Sequence, residues 1–254
     1  MKSNKIFYRI MEGIERLSPV PPVLPDFHNN HAFIWKDTPY RLVPVENLKP
    51  LLPDYLVGID DAKSLLVENT RQFSNGFSAN NALLWGARGM GKSSLITSVH
   101  SLFSSKMLKL IEIRREDLGS LDKLIQIVEK LDFRFIIFCD DLSFGTDDAE
   151  YKSLKALLDG GLKSKSSNII FYATSNRRHL ISRKMDENED IILSDEVNQK
   201  IALSDRFGLW LGFYDCDQDT YLKMVEVYLK RINFDFLDDN WKKKAIEWQI
   251  GRGS

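Results

Sequence analysis

The sequence has very little cysteine, and its two thiols exclude two common kinds of small protein. Cys139 and Cys216 are too few for a disulfide-stapled domain and too far apart in sequence for a zinc knuckle. No run approaches the roughly 20 apolar residues that a helix needs to cross a bilayer, and the amino terminus has no signal-peptide core. We therefore expect a reduced, cytoplasmic protein with no membrane partner.

Net charge is also nearly absent. The 254 residues carry 35 Lys and Arg against 36 Asp and Glu, which gives a formal net charge of -1. This balance argues against a general nucleic-acid coat protein, which needs a strong positive field. Short basic clusters such as Arg177–Arg178 and Lys242–Lys244 are interleaved with acids. They indicate solvated surface, so that DNA binding stays a minor hypothesis.

Proline is absent from residue 54 onward. All eight prolines lie within residues 1–53, where fixed φ angles and missing donors favour an extended arm that follows one short helix near Lys5–Leu17. We expect this arm to pack over a surface. The change in composition predicts a boundary near residue 53, and we divide the chain into a proline-rich arm (1–53), a core (54–215) and a helical lid (216–254).

What the sequence does contain is an alternation of short apolar runs with helix-length segments. Hydrophobic residues make up 43% of the chain, enough for a packed core. Strands separated by helices predict an α/β fold, a parallel sheet with helices on both faces. Beyond Asp217 the pattern is wholly helical, and a charged segment before Arg206 indicates a surface insertion with a short helix near Ser194–Ile201.

Residues Gly86–Ser93 match the phosphate-binding pattern G-x-x-x-x-G-K-[ST] in full, between an apolar run and a helix. Glycines let backbone amides surround phosphate oxygens, and the helix amino terminus adds partial positive charge. Lys92 would reach the β- and γ-phosphates, and the Ser93 hydroxyl would join the Mg²⁺ shell. The residues predicted to bind nucleotide here are Gly86, Ala87, Arg88, Gly89, Met90, Gly91, Lys92, Ser93 and Ser94.

Two further polar groups follow apolar runs. Asp140 and Asp141 end the run that begins at Phe135, where the carboxyl edge of a parallel sheet binds ligands. Asp140 is placed to hold Mg²⁺ and Asp141 to orient or deprotonate the attacking water, unless the acids merely end the strand. Asn176 ends the next run and can hydrogen-bond the γ-phosphate, although turns also favour asparagine.

With these motifs in this order, the sequence resembles the AAA+ P-loop ATPases. Within them it is similar to a bacterial ATPase family related to replication initiators and helicase loaders. The resemblance covers roughly residue 33 to the carboxyl terminus. The stretches that carry it are Asn80–Ser94, Phe138–Phe144, Tyr172–Leu180 and Leu203–Gln218.

The resemblance implies further roles. It implies a five-stranded parallel sheet in which the strand at Asn168–Thr174 lies between the phosphate-loop strand and the Asp140 strand. Asn176 matches the first sensor, and Arg206 matches the arginine finger that enters a neighbouring subunit's site, unless it pairs with an acid of its own chain. Leu56 and Val57 match the segment that packs on adenine, although both also suit ordinary core.

The helical lid stops where the family places a second-sensor arginine, and Arg252 is a poor substitute at a frayed terminus. We therefore expect an incomplete lid. The expected function is Mg²⁺-dependent ATP hydrolysis coupled to remodelling or loading of an unknown client, with ATP and Mg²⁺ as cofactors and self-association through Arg206. The alternative is an ATP-gated assembly module with little hydrolysis. A P-loop small-molecule kinase is less favoured, because tandem acids suit water better than a bound acceptor.

Overall fold

The computed structural model describes residues 24–142, 154–155, 158, 167–176, 206–232 and 240–251. Seven strands lie within these ranges: β1 (Ala32–Asp37), β2 (Tyr40–Pro44), β3 (Ala82–Gly86), β4 (Leu108–Glu112), β5 (Arg134–Cys139), β6 (Ile169–Ser175) and β7 (Leu209–Phe213). The α-helices of the same ranges are α1 (Asp60–Ser74), α2 (Lys92–Phe103), α3 (Leu121–Val128), α4 (Gln218–Arg231) and α5 (Asn240–Gly251).

One sheet joins all seven strands in the order β2-β1-β4-β5-β6-β3-β7. Every neighbouring pair is parallel except β1 and β2, which form an antiparallel hairpin. The five strands from β3 to β7 are the predicted parallel sheet. The strand at Asn168–Thr174 was predicted to lie between the phosphate-loop strand and the Asp140 strand. This prediction is confirmed, because β6 pairs with β3 on one side and with β5 on the other.

The β1–β2 hairpin is the departure from the five-strand expectation. It lies in the proline-rich region, and β1 pairs with β4 so that the sheet grows by two strands. Trp35 anchors it, because its ring is fully buried and its Nε1 donates to Ser120 Oγ at 2.7 Å. Pro39 lies in the connecting turn and Pro44 at the end of the edge strand, positions where a missing donor is tolerated. This stretch therefore extends the sheet instead of packing over a surface.

Helices cover both faces of the sheet and divide the core into two apolar layers. On one face Leu121, Leu124 and Val128 of α3 are fully buried, at the three- and four-residue spacing of an amphipathic helix. On the other face α1 and α2 bury Leu66, Phe73, Leu95, Ile96 and Val99. The sheet is thus buried on both sides, and its carboxyl edge is left for ligands.

The carboxyl-terminal part is helical, as expected, and consists of α4 and α5. Tyr221 of α4 donates its hydroxyl to Ala245 O of α5 at 3.0 Å. In the part of the chain that the structure describes, no helix is both long and apolar enough to cross a bilayer. The helices expected near Lys5–Leu17 and Ser194–Ile201, and the surface insertion, lie outside the described residues.

Candidate phosphate-binding site

A cavity of about 320 Å³ opens at the carboxyl edge of the sheet, where β3, β5 and β6 end. Six residues of the predicted phosphate loop line it: Arg88, Gly89, Gly91, Lys92, Ser93 and Ser94. Asp140, Asp141 and Asn176 line it from the ends of the two neighbouring strands. The fold thus brings together residues that the sequence places as far as 88 positions apart, from Arg88 to Asn176.

The loop between β3 and α2 depends on glycine for two different reasons. At Gly86, where φ is 131°, a Cβ would lie 1.8 Å from Phe213 O of β7. That oxygen accepts from Ala87 N at 2.8 Å, so that the loop is bound to the neighbouring strand. Gly91 has a φ of 83° and caps α2 in the left-handed conformation. The amides of the loop and the helix amino terminus can therefore converge on an anion.

The amine of Lys92 lies at the base of this loop. Its Nζ donates to Gly86 O at 2.9 Å, to Ala87 O at 2.7 Å and to Asn176 Oδ1 at 3.2 Å. Burial lowers the pKa of Lys92, while the charges of Asp140 and Asp141 oppose that shift. The positive charge of this largely buried amine is partly removed from water, so that a negatively charged phosphate would stabilise it more strongly than neutral carbonyl oxygens do.

Oxygen donors suited to Mg²⁺ face this lysine. Ser93 Oγ donates to Asp140 Oδ1 at 2.6 Å, and Thr174 Oγ1 donates to the same carboxylate oxygen. Hydroxyl and carboxylate oxygens are ligands that Mg²⁺ prefers, and protein sites for it usually complete the shell with water and substrate phosphate. No cluster of three or more His, Cys, Asp or Glu side chains able to hold a metal occurs among the described residues. Ser93 and Asp140 could supply two oxygen ligands to such an ion.

Asp141 turns away from β5 in an unusual backbone conformation, with a φ of 50°. Its amide donates to Thr174 Oγ1 at 2.9 Å, and its Oδ1 accepts from Asn176 Nδ2 at 2.6 Å. The Asn176 side chain consequently touches both Asp141 and Lys92. One amide thus bridges the second acid and the loop amine.

Some predicted site residues lie outside the cavity wall: Leu56, Val57, Gly86, Ala87, Met90 and Arg206. Leu56 and Met90 are buried in the apolar layer behind the loop, and Leu56 Cδ2 would lie 3.2 Å from a Cβ at Gly91. Arg206 precedes the amino end of β7, at the opposite edge of the sheet from Phe213 and the loop. The structure therefore does not bring Arg206 to the cavity of its own chain.

Sequence reasoning missed two residues of the wall, Thr174 and Tyr228. Thr174 is 2% exposed, but spacing along the chain offered no signal of its contacts with Asp140 and Asp141. Tyr228 gave none, because its place depends on how α4 docks. A Cβ at Gly58 would lie 2.6 Å from Thr220 Cγ2 of α4, and Arg231 of α4 lies over the Tyr55 ring at 5.5 Å.

A family model described as "Protein of unknown function (DUF815)" matches residues 28–254. No curated protein matches the sequence. Similar solved structures include two variant forms of RuvB from Thermotoga maritima, 17% and 18% identical, which cover 72% and 73% of this chain and 54% and 56% of their own. Orc1 from Aeropyrum pernix in complex with DNA is 14% identical and covers 69% and 50%. All three have a TM-score of 0.50, and this chain spans about half their length.

Proposed function

The chain belongs to the DUF815 family and has the fold of the AAA+ P-loop ATPases, and we propose that it binds ATP with Mg²⁺ and hydrolyses it. One observation carries the proposal. A lysine, a hydroxyl, two carboxylates and an amide converge on one cavity at the carboxyl edge of the sheet. The amino terminus of α2 supplies the lysine and the hydroxyl, and the ends of β5 and β6 supply the carboxylates and the amide. Phosphoanhydride hydrolysis uses this set of groups.

In this proposal the loop holds the phosphates. The loop amides from Arg88 to Gly91 donate to phosphate oxygens, because the Ala87 amide is already bound to Phe213 O, and Lys92 exchanges its carbonyl partners for the β- and γ-phosphates. Ser93 can offer a lone pair to Mg²⁺ while its hydroxyl continues to donate a hydrogen bond to Asp140 Oδ1, as it already does at 2.6 Å. The bound ion supplies charge neutralisation at the transferring phosphoryl group.

Asp141 and Asn176 act on the water side of that group. Asn176 holds Asp141 Oδ1 at 2.6 Å, which fixes the carboxylate and directs Oδ2 to accept the proton of water. The same amide contacts Lys92 at 3.2 Å, so that it lies where γ-phosphate charge would be sensed. Hydrolysis then depends on a short acid that is already positioned.

Phosphate release with Mg²⁺·ATP tests this assignment. We expect Asp141→Asn, which keeps the hydrogen-bonding shape, to lower turnover about 10²-fold or more while ATP still binds, because general-base contributions are of that order. Lys92→Ala should instead abolish ATP binding. Wild-type and Asp141→Asn rates that are equal and at background would contradict hydrolysis.

That contrary result would favour the second candidate, an ATP-gated assembly module with little or no turnover. The observation in its favour is the 2.6 Å bond from Asn176 to Asp141 Oδ1, which occupies one of the two oxygens that could act on water. For this candidate, nucleotide should change the size of the wild-type protein without phosphate release. Both candidates keep the same ATP and Mg²⁺ site.

We propose that copies of the chain associate and that Arg206 acts on the neighbour's nucleotide. Its place beyond the amino end of β7, outside its own cavity, supports action in trans. The client of such an assembly is proposed to be a protein that is remodelled or loaded. The Orc1 structure contains DNA, but the net charge of -1 here gives DNA less support.

A further inference from the structure

We propose that Thr174 is a positioning residue whose single hydroxyl sets the orientation of both acids, Asp140 and Asp141. The inference rests on the proposed function, because it assigns those acids to Mg²⁺ and to water. Thr174 is the penultimate residue of β6, two residues before Asn176, and it is 2% exposed. Water therefore has little access to compete for its hydrogen bonds.

The Thr174 hydroxyl makes one hydrogen bond as a donor and one as an acceptor. Thr174 Oγ1 donates its one proton to Asp140 Oδ1 and accepts from Asp141 N at 2.9 Å. Among the hydrogen bonds between described residues, no other oxygen contacts the side chain of one acid and the backbone of the other. Moving this hydroxyl would consequently change the geometry at both positions at once.

At Asp141 the contact stabilises an uncommon backbone. A φ of 50° is seldom adopted by residues other than glycine, asparagine and aspartate. The backbone of Thr174 adds a second tie, because Leu142 N donates to Thr174 O at 2.7 Å. Without the hydroxyl, the Asp141 amide loses its acceptor and its peptide can rotate toward the common region. The carboxylate would then leave Asn176.

At Asp140 the contact selects which oxygen faces the metal. Ser93 and Thr174 both donate to Oδ1, so that the rotamer is fixed and Oδ2 is directed to the ion or to one of its waters. Removing the Thr174 donor leaves Ser93 alone to hold the carboxylate. We therefore expect the loss of the hydroxyl to weaken the effect of Mg²⁺ on nucleotide binding more than binding without Mg²⁺.

The matched variants are Thr174→Val, which keeps the shape and removes the hydroxyl, and Thr174→Ser, which keeps the hydroxyl. Hydrogen exchange in the nucleotide-free protein gives the first readout. The Asp141 amide should exchange about tenfold faster in Thr174→Val, the factor expected from one lost hydrogen bond, and should exchange as in the wild type in Thr174→Ser. Amides in the core of β4 serve as the internal control.

Titration of a fluorescent ATP analogue with and without Mg²⁺ gives the second readout. In Thr174→Val, the increase in analogue affinity that Mg²⁺ causes should be about tenfold smaller than in the wild type, and the affinity without Mg²⁺ should be unchanged. Thr174→Ser should show the wild-type increase. Wild-type exchange and wild-type Mg²⁺ dependence in Thr174→Val would overturn the proposal. If Thr174→Val unfolds, Thr174→Ala undergoes the same comparison. Failure of the wild type to bind the analogue would contradict the proposed function, and amide exchange would still decide the positioning role.

Discussion

Gly86 and Gly89 of the phosphate loop differ in the space that a side chain would find there. A Cβ at Gly86 would lie 1.8 Å from Phe213 O, a backbone atom that cannot move without disturbing β7. A Cβ at Gly89 would meet no atom within 4 Å, so that its φ of 79° is the main constraint. The first glycine serves packing between strands, and the second serves the conformation of the loop.

We therefore expect Gly86→Ala to cost more than about 3 kcal/mol of unfolding free energy, as large steric effects do. Gly89→Ala should cost about 1 to 2 kcal/mol, the strain of a left-handed alanine. Urea unfolding of the two variants beside the wild type checks this. Equal losses at the two positions would contradict the separation of roles.

His100 of α2 gives the protein a built-in sensitivity to acid. Its ring is 1% exposed, Nε2 lies 3.3 Å from Leu108 O, and burial lowers the pKa of His100 to about 4. The nearby charges of His31 and Lys109 contribute to this lowered pKa, and hydrogen bonds to the backbone of Leu108 and His31 oppose it. The folded protein thus binds this proton less readily than the unfolded chain, whose histidine has a pKa near its ordinary value of 6.5.

The pKa of His100 is lower in the folded protein than in the unfolded chain. The free energy of unfolding is therefore highest above about pH 6.5 and decreases as the pH falls toward 4. The loss in unfolding free energy should reach roughly 3 kcal/mol. His100→Gln keeps an amide that can reach Leu108 O and cannot titrate, so that its unfolding free energy should fall less over the same window. Identical pH slopes for the two proteins, measured by urea unfolding, would rule this out.

The individual site residues divide sharply in how well the sequence predicts them. Lys92, Ser93, Asp140, Asp141 and Asn176 all follow from residue type and position at the end of an apolar run, and the structure brings them to one cavity. Their assigned roles stay predictions. Thr174 escaped notice because its importance lies in two partners that come from another strand. Spacing along the chain carries no information about such a contact.

At the scale of elements, α4 connects the lid to the phosphate loop. Thr220, Met224 and Tyr228 recur at four-residue spacing and so share one face of the helix. The first two pack on Gly58, and Tyr228 reaches the cavity. A nucleotide held by the loop would therefore meet an aromatic ring carried by the lid.

We expect Tyr228→Ala to weaken binding of a fluorescent ATP analogue about tenfold, because base or ribose contacts with an aromatic ring are worth roughly 1 to 3 kcal/mol. Tyr228→Phe should bind within about twofold of the wild type, since it keeps the ring. Lys223→Ala, at an exposed position of the same helix, is the control. An unchanged affinity in Tyr228→Ala would show that α4 does not take part in binding.

The strands illustrate where sequence patterns succeed and fail. The core strands β5 and β6 are long apolar runs that end in polar residues, the pattern of a strand buried on both faces. The β1–β2 hairpin was missed because its neighbouring prolines dominated the composition of that region. Its strands are revealed by tertiary contacts, above all the Trp35 bond to Ser120, which lies 85 residues further along the chain.

At the scale of the whole molecule, the site is proposed to be completed by another copy of the chain. Arg206→Ala and Asp141→Asn should each have little activity alone, the first for want of the arginine and the second for want of the acid. Mixed together, they should regain measurable phosphate release. An assembly can then pair an intact Asp141 of one subunit with an intact Arg206 of its neighbour.

Size measurement with and without Mg²⁺·ATP accompanies this mixing experiment, since both variants must assemble for the test to be fair. Arg206→Ala mixed with a double variant that carries both Asp141→Asn and Arg206→Ala is the matched control, because no subunit of that mixture supplies the arginine. If the assembled Asp141→Asn and Arg206→Ala mixture shows no more phosphate release than either variant alone, Arg206 does not act in trans.

The position of β3 within the sheet affects how the protein can be made. β3 is flanked by β6 and β7, both of which come much later in the chain. At roughly 5 to 20 residues per second, a ribosome needs about 6 to 25 s to advance from residue 86 to residue 213. Throughout that interval at least one edge of β3 is unpaired. We therefore expect the phosphate loop to reach its final conformation only after β7 has emerged, because Gly86 and Ala87 both contact Phe213 O.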